Sequence, residues 1–96
     1  MRPSEAMAGR IEAVRAVIAR YPVRNPRVFG SVARGEDAEG SDLDLLVEPL
    51  PTTTYFDLAA LEEELAALLG VPVDILTPGG VGPGIADAVR RDLRPL

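Results

Sequence analysis

The sequence predicts an α+β fold, a small mixed β-sheet backed by helices. Apolar residues recur first with a helical period, then in short strand-like runs, giving the order helix, strand, turn, strand, helix, strand, helix. The first two strands are joined by a short polar loop, 35–41, which suits a connection other than a βαβ crossover and so a mixed rather than all-parallel sheet. At 96 residues the chain has room for one domain, 1–96, with one modest core.

Residues 4–21 carry Met7, Ile11, Val14, Ile18 and Tyr21 at alternating spacings of four and three, one face of an amphipathic helix. Ser4 is its expected N-cap and Pro22 its stop. Residues 26–30 read as the first strand, 31–34 as one helical turn, 35–41 as polar loop and 43–48 as the second strand, which Pro49 and Pro51 end. Thr54 with an acidic Asp57 three positions on opens a helix that runs to Leu69, burying Leu58, Leu61, Leu65, Leu68 and Leu69, with Gly70 just past its end. Residues 71–76 read as the third strand, 77–84 as a glycine-rich loop and 85–93 as a last short helix carrying Ile85, Val89 and Leu93. The loop follows a strand and opens a helix, yet it is no dinucleotide fingerprint, because the sixth position from Gly80 is Ile85.

Composition narrows the chemistry. An apolar fraction of 47% beside 26% charged residues is the balance of a soluble globular chain. No apolar run is long enough to span a membrane, and Glu5, Arg10, Glu12 and Arg15 interrupt any signal-peptide core, so a cytoplasmic location is expected. With neither cysteine nor histidine there is no disulfide, no Ser-His-Asp or Cys-His catalysis and almost no route to zinc. Any metal must be held by oxygen, which points to magnesium or manganese. A net charge of −5 argues against binding a long nucleic acid directly. All ten basic residues are arginine, so no mechanism can use a lysine.

The chemistry concentrates in GSVARGEDAEGSDLDLLVE, residues 30–48. Asp42 and Asp44 alternate with leucines at the start of the second strand, which puts both carboxylates on one face with Cβ atoms roughly 6.5–7 Å apart. Such a pair suits a two-metal site, with ions about 3.5–4 Å apart. Without cations, two carboxylates at about 4 Å repel by about 4 kcal/mol at an effective dielectric near 20. Asp74 sits inside the apolar run 71–76, where a carboxylate is costly to bury unless paired or metal-bound. On a neighbouring strand it faces the same site, able to ligate a metal and to take a proton from an attacking hydroxyl. Gly30 lets a ligand approach the backbone, and a helical turn from Ser31 offers N–H groups and a hydroxyl to a phosphate. Arg34 is placed either to contact a phosphate or to pair with Glu36 or Asp37.

The combination of Gly-Ser, ten intervening residues, Asp-x-Asp and a later strand aspartate resembles the polymerase-β-like nucleotidyltransferase superfamily, and within it the minimal nucleotidyltransferase (MNT) domain. Gly30, Ser31, Arg34, Gly35, Ser41, Asp42, Asp44 and Asp74 all fit. The resemblance implies the polymerase-β-like nucleotidyltransferase fold, two magnesium ions on Asp42 and Asp44 with Asp74 completing the site, and ATP held at its triphosphate by Gly30 and Ser31, with Arg34 beside them. It further implies an antitoxin that transfers AMP from ATP to a tyrosine hydroxyl of a cognate HEPN-domain ribonuclease toxin. Two other functions compete: a non-catalytic antitoxin that neutralises its partner by binding, and nucleotidyl transfer to a small molecule.

Overall fold

The computed structural model describes residues 1–80 and 83–96, less the side chains of 83–85 and 88. Val81 and Gly82 of the glycine-rich loop and the side chain of Ile85 therefore lie outside the described residues.

The elements follow as α1 (Pro3–Ala8), α2 (Ile11–Ile18), β1 (Val23–Phe29), α3 (Gly30–Arg34), β2 (Leu43–Pro49), α4 (Tyr55–Leu69), β3 (Val73–Leu76), a 3₁₀ turn (Pro78–Gly80), α5 (Pro83–Asp92) and β4 (Arg94–Pro95). The strands form one sheet in the order β3-β2-β1-β4. β1 runs antiparallel to β2 and β4, whereas β2 and β3 are parallel. The sheet is thus mixed, as the short 35–41 loop implied. The parallel pair needs a crossover, which α4 provides.

The expected single helix over 4–21 is broken in two. α1 ends at Gly9, the poorest helix former short of proline, and α2 restarts after Arg10, whose backbone (φ −141°, ψ 27°) is not helical. The Arg10 guanidinium reaches the carbonyl of Leu68 in the last turn of α4, a favourable place for a cation. Most of the predicted apolar face survives the break, with Val14 and Ile18 buried and Met7 and Tyr21 packed beside them, while Ile11 is only half-buried and lies outside the cluster. Ser4 is not the cap, because the helix already starts at Pro3 with Arg2 before it. Instead the Ser4 N–H donates to Asp37 Oδ2 at 2.9 Å.

β1 begins earlier than expected, at Val23, which pairs with Pro49. A bulge between Arg24 and Arg27 admits this, with Asn25 at φ 52° and Pro26 lacking an N–H. The capping box on α4 is as expected: Thr54 Oγ1 accepts from the Asp57 N–H and Asp57 Oδ2 accepts from the Thr54 N–H. Leu61, Leu65 and Leu69 are buried, and Leu58 and Leu68 pack at the edge of the same cluster. β3 starts two residues later than expected, after Pro72, whose carbonyl accepts from the Leu43 N–H. β4 is too short to carry a period and is invisible in the sequence.

The sheet divides the molecule. On one face Val28, Leu43, Leu45, Val47, Val73 and Ile75 meet α1, α2 and α4 in the main core. On the other, Phe29 and Leu46 meet Val89 of α5, with Leu76 and Leu93 at the margin. Among the described residues no helix is long and apolar enough to cross a membrane.

Candidate active site

The second face owes its chemistry to the strand period. Leu43, Leu45 and Val47 point into the main core, so Asp44, Leu46 and Glu48 point the other way. Asp44 is in register with Asp74 on parallel β3 and opposite Phe29 on β1. Adjacent strands lie about 4.8 Å apart, so the two aspartates stand side by side on one face. Asp42 precedes Asp44 by two positions, just outside the strand, and is exposed.

β1 leads directly into the site. Gly30 has φ +74°, and a Cβ built on it would lie 2.4 Å from Asp44 Oδ2. The Asp44 carboxylate therefore occupies the space that any side chain at position 30 would need. α3 follows as one and a half turns, with Ser31 half-buried in its first turn, and ends on Gly35 at φ +73°. Gly30, Ser31, Asp42, Asp44 and Asp74 are thus assembled from three separate elements and one loop end.

The electrostatics match the crowding. Burial pushes the Asp44 carboxyl up to about 6, the Asp74 and Asp42 charges add to this, and Arg34 opposes it. Asp74 is exposed, and the little desolvation it feels, then the nearby Asp42 carboxyl, push its carboxyl up as well. The carboxylates form a repelling group poised to accept positive charge. Among the described residues, no three carboxylates converge in the geometry of a formed metal centre. The donor set still fits a hard divalent cation, being all oxygen, with Asp44 pressed against a bare glycine backbone.

Arg34 pairs with Glu36, one of its two expected partners, and adds a partner the sequence did not suggest. Its Nε donates to Glu36 Oε2 at 3.1 Å, and its Nη1 donates to Asp92 Oδ2 at 2.6 Å. Asp37, the other expected partner, is buried under α1, where the Ser4 N–H holds its carboxyl below the usual range. Asp92 was not legible as a site neighbour, since it lies 58 residues from Arg34 and no motif marks it. Further along the same face a cavity of about 260 Å³ opens between the sheet and α5, lined by Arg27, Leu46, Glu48 and Val89 among others.

Residues 11–94 match the nucleotidyltransferase domain family. The chain belongs to that family. This nucleotidyltransferase domain is 42% identical over 74 residues to the protein adenylyltransferase MntA of Thermococcus cleftensis, covering 77% of this chain and 75% of the relative. Its fold superposes with a TM-score of 0.84 on a solved structure described as that of a minimal nucleotidyltransferase, at 46% identity and covering 97% and 95% of the two chains. The fold is also shared, at 18% identity and a TM-score of 0.63, with a chain in the structure of the tri-AMPylated Shewanella oneidensis HEPN toxin in complex with MNT antitoxin, covering 97% of this chain and 70% of that one.

Proposed function

We propose that this nucleotidyltransferase domain, acting as a single unit over 1–96, transfers AMP from ATP to a hydroxyl of a partner protein and thereby serves as an antitoxin. The acceptor we favour is a tyrosine of a HEPN-domain toxin. The observation that carries the reading is the registered pair of Asp44 and Asp74 with the Gly30 backbone against the Asp44 carboxylate. The kinship with the adenylyltransferase MntA and the shared fold with an MNT antitoxin complexed with an AMPylated toxin support the acceptor class and the antitoxin role.

In this mechanism the Gly30 and Ser31 backbone and the Ser31 hydroxyl hold the triphosphate, with Arg34 at its side. Asp42, Asp44 and Asp74 would hold magnesium, two ions in all, which supplies neutralisation of the triphosphate and of the departing pyrophosphate. Asp74 takes the proton of the acceptor hydroxyl as its oxygen attacks the α-phosphorus in line. The new O–P bond forms as the bond to pyrophosphate breaks. ATP as substrate puts the reaction in the cytoplasm.

The test is label transfer from α-labelled ATP to the partner with magnesium present. Asp44→Ala should cut the rate by about 10³-fold or more. Full labelling by that variant would remove the site from the reaction. A second reading, neutralisation by binding alone, has one observation in its favour: Tyr55 and Phe56, 80% and 82% exposed, present an edge-to-face aromatic pair at the start of α4. Asp44→Ala that still protects cells from the partner would favour it.

A further inference from the structure

Among the described residues α5 contributes one polar contact toward the site, and no motif predicts it. Arg34 stands at the end of α3, the helical turn that starts at Gly30, and its side chain is 44% exposed. Two carboxylates grip its guanidinium from different sides: Glu36 at Nε, from the next loop, and Asp92 at Nη1, from the last turn of α5. Asp92 is the better sheltered partner, with its side chain 18% exposed against 66% for Glu36, and its contact is the shorter. A guanidinium is a planar fork with five N–H groups. Bonds at Nε and Nη1 fix that plane, and among the described residues Nη2 donates to no side chain. Arg34 is also close enough to Asp44 to be felt by its carboxyl.

We propose that Asp92 is a positioning residue for nucleotide binding, which through Arg34 Nη1 holds the guanidinium beside the carboxylates with Nη2 turned to a phosphate of the incoming nucleotide. Holding the side chain in advance removes rotamer entropy that an unrestrained arginine would lose on binding. The contact also ties α5 to the turn that follows Gly30, so the last helix takes part in the site without touching substrate. The inference rests on the nucleotide-binding role proposed above.

The experiment is a double-mutant cycle read by equilibrium titration of ATP with magnesium on wild type, Asp92→Asn, Arg34→Ala and the double variant. Asp92→Asn should weaken ATP binding about twofold to fivefold. In the Arg34→Ala background the same change should add nothing further. Asp92→Glu, which keeps the charge, should recover part of the affinity. Asp87→Asn serves as the control, because among the described residues it breaks only the exposed 3.8 Å pair of Asp87 and Arg90 on the same helix and should leave affinity unchanged. Wild-type affinity in Asp92→Asn, or a loss that adds in full to that of Arg34→Ala, overturns the positioning role while leaving the proposed function standing. Failure of the wild-type protein to bind ATP overturns both.

Discussion

The two faces of this sheet are made by the same strands and serve opposite ends. Along β2, Leu43, Leu45 and Val47 are completely buried against the helices, whereas Asp44 between them is half-buried among like charges. One face gathers most of the buried apolar area; the other, beside its small cluster of Phe29, Leu46 and Val89, assembles carboxylates whose mutual repulsion works against the fold. The alternation of side chains along a strand lets the first face position the second, because a strand locked in register by its leucines fixes where its aspartate stands. Substitutions on the two faces should therefore separate stability from activity.

The largest separation is expected between Asp44→Ala, whose effect falls on transfer, and Leu65→Ala on α4. Leu65 is fully buried in the main core, so its truncation should cost about 2–5 kcal/mol in urea unfolding. Under conditions where the variant remains folded, its affinity for ATP should be close to that of wild type. A loss of transfer as large as that of Asp44→Ala would show that the faces are not separable.

A smaller and sharper contrast lies in two glycines at the ends of α3. Gly30 and Gly35 have nearly the same left-handed backbone, φ +74° and +73°. Alanine at either position should cost about 1 kcal/mol for that conformation. They differ in surroundings: a Cβ at position 35 meets nothing within 4 Å, whereas one at position 30 meets Asp44 Oδ2 at 2.4 Å. Gly30→Ala must swing the Asp44 carboxylate aside, so it should abolish ATP binding, and Gly35→Ala should not. Equal binding by both variants would show that contact between Gly30 and Asp44 is irrelevant to the site.

The same contrast marks what a sequence can disclose. The face that Asp44 takes was legible because strand alternation is local, whereas Asp42, expected on the same strand, lies just before it. The pairing of Asp44 with Asp74 was also within reach, since α4 between their strands makes a parallel crossover natural. The grip of Asp92 on Arg34 and the burial of Asp37 beneath α1 were not, because each joins segments more than thirty residues apart with no periodic signal. The break at Gly9 was hidden for another reason: an apolar face with helical spacing continues across it, and periodicity outvoted the one residue that interrupts the backbone.

The smallest expected effect concerns acid. Asp44 has a folded pKa of about 6, above the roughly 3.9 of an unfolded aspartate, so between those values the folded chain binds more protons than the unfolded one. Without divalent cations this group lowers stability as pH rises through that window, and Asp74 acts in the same sense. Asp37 acts in the opposite sense, because the Ser4 N–H lowers its folded pKa; its contribution is present above the unfolded value and is lost as pH falls through the folded one. Asp44→Asn should therefore be more stable than wild type at pH 8 by about 1–2 kcal/mol, allowing for the solvent that reaches the carboxyl, and the gain should vanish near pH 4. Asp37→Asn should instead be less stable at pH 8, with the deficit shrinking in acid. Urea midpoints of the three proteins across that range, measured with a chelator, decide the matter. A pH-independent gain for Asp44→Asn would mean that the side chain is destabilising through its packing and not its charge, and the second face would lose its electrostatic character.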